Sequence, residues 1–302
     1  MRHLKIGIIG GGAIGLLCAS YLSKHHDITI FTRRKEQAED IRASGIKRTV
    51  GGETFRVVVD AQKGLKGTFD LLIVTVKYHQ LQDVLYELST LPRQRILFLQ
   101  NGMAHLLDLK NWKTAHQLYI GVVEHGAMKV SDHAVIHTGI GLIKWGAFHH
   151  EVQADVSCAL KGESAHFKLV YTAEWKKVLE EKLLVNACIN PLTALLHVKN
   201  GELISNSSYE YMMKCAFEEA ISILGMFDKE GLWAHVVSIC QKTAANQSSM
   251  LQDIVKGRQT ERKAIVGYLL KKAQAREIHA PYLTFFNRSL EVLERKQTKS
   301  FE

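Results

Sequence analysis

The hydrophobic pattern of the chain changes its period near residue 170, and this change limits the possible folds more than any other feature. Before that point, short apolar runs that are typical of strands alternate with helical patterns. The strand-like runs are LKIGIIG, DITIFT, ETFRVVVD, FDLLIVTV and RILFLQ. The helical patterns between them cover Ala13–Lys24, Lys35–Ala43 and Gln80–Leu88. This alternation predicts a parallel sheet with helices on both faces.

The second half of the pattern separates a sheet extension from a helical region. Three apolar runs without helices between them, LYIGVVEHGAMKV, HAVIHTG and GLIKWGAF, predict an antiparallel extension of the sheet. After Tyr171 only helical periodicities remain, over Ala173–Val198, Ser208–Gly225, Leu232–Ala245, Glu261–Arg276 and Pro281–Lys296. We therefore predict an α/β protein with an N-terminal Rossmann-type doubly wound sheet in residues 1–168. A C-terminal all-helical domain is expected in residues 169–302.

Charge and composition exclude several classes of function. The 39 Lys and Arg exceed the 30 Asp and Glu, which gives a net charge of +9 and favours an anionic ligand. The basic residues are scattered, and no basic stripe with interleaved aromatic residues is present, so we expect no nucleic-acid partner. The 15 histidines show no ligand spacing, and we expect no metal.

Cysteines and an uncharged run bear on the compartment. The five cysteines are odd in number and contain no CxxC pair, which indicates a reducing cytoplasm rather than a disulfide framework. Residues Ile6 to Ser23 carry no charge and could suggest a signal peptide or a membrane span. Five glycines in that run would weaken a spanning helix, so we expect a strand, a turn and a new helix, and no membrane partner.

The turn after the first predicted strand carries a dinucleotide-binding pattern. Gly10, Gly12 and Gly15 form G-x-G-x-x-G, with Ala13 and Ile14 inside it. In this position the first glycine allows the turn, the second admits the pyrophosphate, and the third lets the helix pack against the strand. Amide groups at the start of the helix would face the phosphates.

The end of the second predicted strand distinguishes between the two nicotinamide cofactors. An NAD-binding unit has Asp or Glu there for the ribose hydroxyls, whereas this chain has Thr32, Arg33 and Arg34. Guanidinium groups suit a 2′-phosphate, so NADPH is the expected cofactor. The sequence leaves open which arginine binds that phosphate. Lys77 and Asn101 follow later strands and are expected where cofactor and substrate meet.

A polar stripe interrupts an otherwise apolar helix in the second half. Lys182, Asn186 and Asn190 are spaced at i, i+4 and i+8, so they lie on one face of the helix. Holding a charged lysine among apolar residues, away from water, costs free energy, so such a lysine indicates that its charge serves a function. Pro191 is expected to bend or break this helix.

Several of these motifs together resemble the ketopantoate reductase family. They are GGGAIG, TVKYHQ, QNGM, the run KLLVNACINPLTAL with NGEL after it, and NQSSMLQD followed by TE. The resemblance covers nearly the full length. It implies NADPH-dependent reduction of 2-dehydropantoate (ketopantoate) to (R)-pantoate in pantothenate biosynthesis, on the route to coenzyme A.

The resemblance also implies roles for individual residues. Lys182 matches the catalytic lysine. The residues that match substrate contacts are Asn101, Asn186, Asn190, Asn246, Ser249 and Glu261. Asn101 and Glu261 are expected to contact the cofactor as well. Hydride addition to a ketone leaves charge on oxygen, and Lys182 could stabilise that charge and donate the proton as general acid.

Two alternatives remain from the sequence. One is a related NADPH-dependent 2-oxo acid reductase with a different substrate. The other is a non-catalytic NADPH-sensing protein, against which the joint presence of Lys182, Asn186, Ser249 and Glu261 speaks. A monomer or a homodimer is expected.

Overall fold

The computed structural model describes residues 3–149 and 165–299, which divide into two compact units. Met1–Gln100 and Trp112–Trp175 form the first unit, and Asn101–Asn111 and Lys176–Glu302 form the second. The short segment Asn101–Asn111 therefore belongs with the helices, although it lies between strands in the sequence. The domain boundary between residues 168 and 169 remains a prediction.

The described part of the first unit contains twelve strands in two sheets. The strands are β1 (Lys5–Ile9), β2 (Asp27–Thr32), β3 (Ile46–Val50), β4 (Glu53–Val57), β5 (Asp60–Lys63), β6 (Leu71–Val74), β7 (Arg95–Phe98), β8 (Gln117–Val123), β9 (Gly126–Lys129), β10 (Ala134–Gly139), β11 (Leu142–Ala147) and β12 (Lys168–Tyr171). The main sheet has the order β12-β11-β8-β7-β6-β1-β2-β5. In this sheet, neighbouring strands run parallel throughout the stretch β8-β7-β6-β1-β2-β5, and β11 is antiparallel to β8.

The strand order reverses its direction at β1, which lies between β2 and β6. Both neighbours are parallel to β1, and Ile8 is in register with Ile30 and Ile73, all of them buried. Strands covered on both faces need such continuous apolar runs. The α-helices in the described part of this unit are α1 (Ala13–Leu22), α2 (Lys35–Ser44) and α3 (Leu81–Ser89). The predicted Rossmann-type fold is confirmed, and its switch point lies between β1 and β6.

A second sheet, of order β4-β3-β10-β9, corrects two predictions. The run ETFRVVVD is not one strand, because β4 pairs with β3 in this sheet and β5 pairs with β2 in the main sheet. Gly51 and Gly52, both with positive φ, join β3 to β4 in a tight hairpin. The antiparallel extension of the main sheet is found for β11, but β9 and β10 belong to the second sheet.

A buried pair of histidines lies in the first unit. The Tyr21 hydroxyl and His137 Nδ1 are 2.9 Å apart, and His137 Nε2 and His125 Nδ1 are 3.1 Å apart. The Gly141 amide also donates to His125 Nδ1, at 3.1 Å. Since an amide can only donate, that nitrogen is unprotonated and His125 is neutral. Burial, and to a lesser extent the charge of His137, lowers the pKa of His125 to about 4.

The second unit is helical. Its helices are α4 (Ala104–Asn111), α5 (Trp175–Leu196), α6 (Glu202–Ser205), α7 (Ser207–Leu224), α8 (Lys229–Lys242), α9 (Ser249–Val255), α10 (Tyr268–Ala275) and α11 (Pro281–Lys299). The predicted helix over Glu261–Arg276 is wrong at its start, where a π-helical turn, Lys263–Gly267, precedes α10. Helix α5 continues through Pro191 rather than breaking there.

Side chains define where several of these helices begin. Asn206 caps α7, Asp228 caps α8 and Ser248 caps α9, each accepting a hydrogen bond from the first turn. The start of α11 is capped from another helix, because Glu219 of α7 accepts from the amides of two of its residues. Among the residues that the structure describes, no helix combines the length and the apolar content needed to cross a membrane.

Candidate active site

The three motif glycines have distinct geometric roles. Gly10 has φ of 116°, and its amide donates to the Phe31 carbonyl at 2.9 Å, which turns the chain after β1. A Cβ on Gly15 would lie 1.8 Å from the Gly10 carbonyl oxygen. A Cβ on Gly12 would meet no atom of the described chain within 4 Å. Gly15 therefore serves packing, whereas Gly12 leaves open space beside the start of α1.

The remaining polar groups of the turn are held from outside it. Thr75, after β6, has its hydroxyl 3.1 Å from the Ile9 carbonyl and 3.0 Å from that of Gly10. The Gln37 amide donates to the Gly11 carbonyl at 2.8 Å. No side chain of the described residues caps α1, which begins with Ala13 and Ile14. The first amides of α1 are thus available to an anion, as dinucleotide binding requires.

The structure distinguishes the two arginines that the sequence left equivalent. Arg34 forms an ion pair with Asp132, which Lys129 also contacts, at 2.9 Å. Partial burial alone would raise the pKa of Asp132, but hydrogen bonds from Lys129 and Arg34 hold this pKa below its ordinary value. Arg33 is exposed and makes no hydrogen bond or ion pair with any described residue. Arg33 is therefore the guanidinium that a phosphate could recruit.

Lys77 lies at the other side of the switch point. It follows β6 and directly precedes a single 3₁₀ turn, Tyr78–Gln80, and its side chain is half-buried. The side-chain amide of Gln100 donates to the carbonyls of Val74 and Val76, both at 3.1 Å, and so fixes the chain before Lys77. The glycine turn and Lys77 thus occupy the carboxyl ends of adjacent parallel strands, where such sheets bind ligands.

In the second unit, the predicted stripe of α5 goes from the edge of the core into it. Lys182 and Asn186 are half-buried, whereas Asn190 is 8% exposed. The residues between them, such as Leu183 and Ala187, are fully buried. A wetted surface stripe would leave all three polar residues exposed. The helix instead presents polar groups at graded depth, which is an arrangement that a bound polar molecule could use.

Thr193 joins the deep end of this stripe to α9. Its hydroxyl lies 2.7 Å from the Ser248 hydroxyl and 3.1 Å from the Asn190 carbonyl. Ser248 in turn accepts from the Leu251 amide as the cap of α9. The next residue, Ser249, is exposed at the start of that helix. This contact brings Ser249 close to the turn of α5 that carries Asn190.

Asn246 is placed by the residues of the NGEL motif. Its carbonyl accepts from the Asn200 amide at 3.0 Å, and the Asn200 side chain donates to the Thr243 hydroxyl at 2.9 Å. A Cβ on Gly201 would lie 2.6 Å from the Ala244 Cβ, so a glycine is needed for this approach. The Asn246 side chain itself is exposed.

The loop of Asn101 and the backbone of Glu261, which are far apart in the sequence, both bond to the backbone of Ala264. The Met103 amide donates to the Ala264 carbonyl at 3.0 Å. Gly102 has φ of 73°, and a Cβ there would lie 2.2 Å from that same oxygen. The Glu261 carbonyl accepts from the Ala264 amide at 3.0 Å. The structure therefore brings the Asn101 loop against the turn that follows the buried Glu261.

Sequence reasoning missed the residues that hold these groups in place. They are Gln37, Thr75, Asp132, Thr193 and Ser248. A signal existed for one of them, since two adjacent serines before a helical run indicate an N-cap. The others make contacts over long sequence separations, which no local pattern reports.

Among the described residues, the first unit has an uncapped helix start beside a glycine turn and an exposed arginine without a side-chain partner, and the second carries a lysine on a largely buried helix. A glycine turn and a helix start of this kind are typical of nicotinamide-dependent oxidoreductases of the Rossmann type. A family model described as "Ketopantoate reductase PanE/ApbA" matches residues 6–150, and one described as "Ketopantoate reductase PanE/ApbA C terminal" matches residues 174–294.

Individual relatives agree with the family models. The chain is 49% identical to the 2-dehydropantoate 2-reductase of Bacillus subtilis over 298 residues, covering 99% of this chain and 100% of the relative. A crystal structure of a probable 2-dehydropantoate 2-reductase from Bacillus subtilis has a TM-score of 0.89 at 50% identity, with 96% and 100% coverage. D-mandelate dehydrogenase with NADH and anilino(oxo)acetate, at 22% identity and a TM-score of 0.88, shares the fold over 97% of this chain and 99% of its own. The chain belongs to the ketopantoate reductase family, which confirms the resemblance predicted from its motifs.

Proposed function

We propose that the chain is an NADPH-dependent 2-dehydropantoate 2-reductase. It reduces ketopantoate to (R)-pantoate in pantothenate biosynthesis, which leads to coenzyme A. The observation that carries this proposal is the 49% identity to the Bacillus subtilis 2-dehydropantoate 2-reductase over the full length of both chains. The described geometry agrees with it, because the glycine turn and α5 both have the features that such an enzyme needs.

The first unit supplies the residues that would hold NADPH. The start of α1 beside Gly12 would hold the pyrophosphate, because this glycine has open space next to it. Arg33 would bind the 2′-phosphate, while Arg34 is already paired with Asp132. Lys77, after the end of β6, would support the cofactor.

The second unit supplies the acid and the substrate contacts. When bound, NADPH would supply the hydride for the keto carbon. Lys182 donates a proton to the carbonyl oxygen, so that hydride and proton together convert the ketone into the alcohol. Asn186 and Asn190, on the same face of α5, orient the ammonium and the substrate.

The remaining substrate contacts come from three other segments of this unit. Asn101 lies in the loop before α4, and Asn246 and Ser249 flank the cap of α9. A serine hydroxyl can donate to the substrate carboxylate, and the Glu261 carboxylate can accept from a substrate hydroxyl. Asn101 and Glu261 would also contact the cofactor.

The test is NADPH oxidation with 2-dehydropantoate, run beside other 2-oxo acids. Lys182→Ala is compared with Lys177→Ala, because Lys177 is an exposed lysine of the same helix. We expect Lys182→Ala to lower kcat by about 10²- to 10⁴-fold, the usual contribution of a general acid, while NADPH still binds. A Lys182→Ala enzyme as active as wild type would remove this mechanism. Faster turnover of another oxo acid would favour the related-reductase alternative.

We also propose that the enzyme works in the cytoplasm as a monomer or a homodimer, without nucleic-acid or membrane partners. The described cysteines are free thiols, and Cys18, Cys188 and Cys240 are buried, which suits a reducing compartment. Light scattering measures the oligomeric state.

A further inference from the structure

A carboxylate on the last helix contacts the residues on both sides of Glu261. Glu294 of α11 accepts hydrogen bonds from the Thr260 amide, at 3.1 Å, and from the Thr260 hydroxyl. Its other oxygen accepts from Arg262 Nε at 3.1 Å. The Arg262 and Glu294 side chains are only 8% and 15% exposed. The largely buried Glu294 carboxylate thus bonds to both neighbours of Glu261, which is a predicted substrate contact.

Arg262 has a second partner on the same helix. Its Nη1 donates to Asn287 Oδ1 at 2.7 Å, and its backbone amide donates to the Thr260 hydroxyl at 3.1 Å. Asn287 and Glu294 are seven residues apart on α11, so they lie on the same face, two turns apart. The guanidinium is therefore held at two points by one rigid helix.

The segment that this network holds connects residues without regular structure to the π-helical turn. Residues 258–260 have no assigned helix or strand, and the turn begins at Lys263. The Glu261 carbonyl accepts from the amides of Ala264 and Ile265, both at 3.0 Å. The Ala264 carbonyl then accepts from Met103, in the loop that carries Asn101. A shift of residues 260–262 would therefore displace Glu261 and, through Ala264, the loop of Asn101. Short π-helical turns of this kind are frequent at functional sites.

We propose that Glu294, acting through Arg262 and Thr260, is a positioning residue for recognition of the oxo acid. It holds Glu261 in its binding position and, through the Ala264 carbonyl, the loop of Asn101. The proposal rests on the proposed function, because it takes Glu261 and Asn101 as substrate contacts. Glu294 itself is not assigned any contact with substrate or cofactor.

The chain offers a matched control for the purely structural role of such a carboxylate. Glu219 of α7 accepts from the amides of Tyr282 and Leu283, both at 2.8 Å, at the other end of α11. Leu283 and Glu294 are separated by about 16 Å along the helix axis, at roughly 1.5 Å per residue. Both carboxylates fasten α11 to the rest of the unit, but only Glu294 is bonded to the neighbours of Glu261.

The experiment compares Glu294→Gln with Glu219→Gln in the full chain. We expect Glu294→Gln to raise KM for 2-dehydropantoate about tenfold or more, with kcat changed less than about threefold and the Kd for NADPH unchanged. Amide hydrogen exchange should become faster at residues 260–265. Glu219→Gln should lower the melting temperature without changing KM. Asn287→Ala, which removes one bond to Arg262, should raise KM in the same direction but less, and serves if Glu294→Gln does not fold.

The positioning role of Glu294 and the proposed function would be contradicted by different results. An equal rise of KM in the Glu219→Gln enzyme, or unchanged KM and exchange in Glu294→Gln and Asn287→Ala, would overturn the positioning role. A wild-type protein that does not turn over 2-dehydropantoate would overturn the proposed function instead. In that case the exchange rates at residues 260–265 still decide whether Glu294 holds this segment.

Discussion

Arg33 and Arg34 are adjacent and chemically identical, yet the structure predicts that their removal has different consequences. Hydrogen bonds to charged groups contribute about 1.5–3 kcal/mol, so loss of a guanidinium from the 2′-phosphate should weaken NADPH binding by roughly 10- to 150-fold. Arg33 has no protein partner among the described residues, so Arg33→Ala should leave the free energy of unfolding within about 0.5 kcal/mol of wild type.

Arg34→Ala removes the ion pair with Asp132 rather than a phosphate contact. The pair is partly exposed, and such pairs contribute about 0–1 kcal/mol to stability, so the free energy of unfolding should fall by no more than about 1 kcal/mol. An indirect effect on NADPH binding should stay within the same limit, which corresponds to a change in Kd of less than about fivefold. Lys129 still contacts Asp132 in this variant.

The assay is a fluorescence titration of each variant with NADPH and with NADH. NADH lacks the 2′-phosphate, so its Kd should be the same in wild type, Arg33→Ala and Arg34→Ala. Two results would refute the reasoning: an Arg34→Ala variant that loses as much NADPH affinity as Arg33→Ala, or an Arg33→Ala variant that loses NADH affinity to the same extent.

Three further predictions follow from the geometry. Gly12→Ala should keep the melting temperature of wild type but bind NADPH at least about tenfold more weakly, because its Cβ would occupy the open space beside α1. Gly15→Ala should lose stability as well, because its Cβ would collide with the Gly10 carbonyl. Equal melting temperatures of the two variants in calorimetry would contradict this. Thr193→Val should cost about 1–3 kcal/mol in denaturant unfolding, because it removes the bond between α5 and α9. Thr284→Val should cost less, because among the described residues that hydroxyl bonds only the carbonyl of Ala280, directly before its own helix. His125 is buried and neutral, with a pKa of about 4, so it binds a proton less readily in the folded chain than in the unfolded chain. The melting temperature should therefore fall as the pH drops from about 6.5 toward 4. His125→Gln should make the melting temperature depend less on pH over this range.

The sequence predicted the main sheet well because parallel, doubly covered strands need uninterrupted apolar runs. Leu71–Val74 is buried at all four positions, and its pattern is unambiguous. The second sheet was missed because Glu53–Val57 is largely exposed and alternates only weakly. Its one strong local signal was the pair Gly51 and Gly52, which is typical of a two-residue hairpin.

The π-helical turn after Glu261 could not be predicted from periodicity. Its residues, Lys263–Gly267, have the apolar spacing of an ordinary helix, and the wider turn is recognised only by its hydrogen bonds. The Ala264 carbonyl at this turn accepts from Met103, which is 161 residues earlier in the chain. A contact at that separation leaves no trace in a local pattern, so the place of Asn101 beside this turn came only from the structure.

The motifs that carry the family resemblance contain two kinds of residue, and only the structure separates them. Lys182 is half-buried and Ser249 is exposed. Thr193 and Ser248 are buried and bonded to each other, and Gly201 is required by the close approach of Ala244. Thr193 and Ser248 join α5, which carries Lys182, to α9, which begins at Ser249. Their substitution should therefore raise KM as well as lower stability, and a motif match counts as support for function only where both kinds are present.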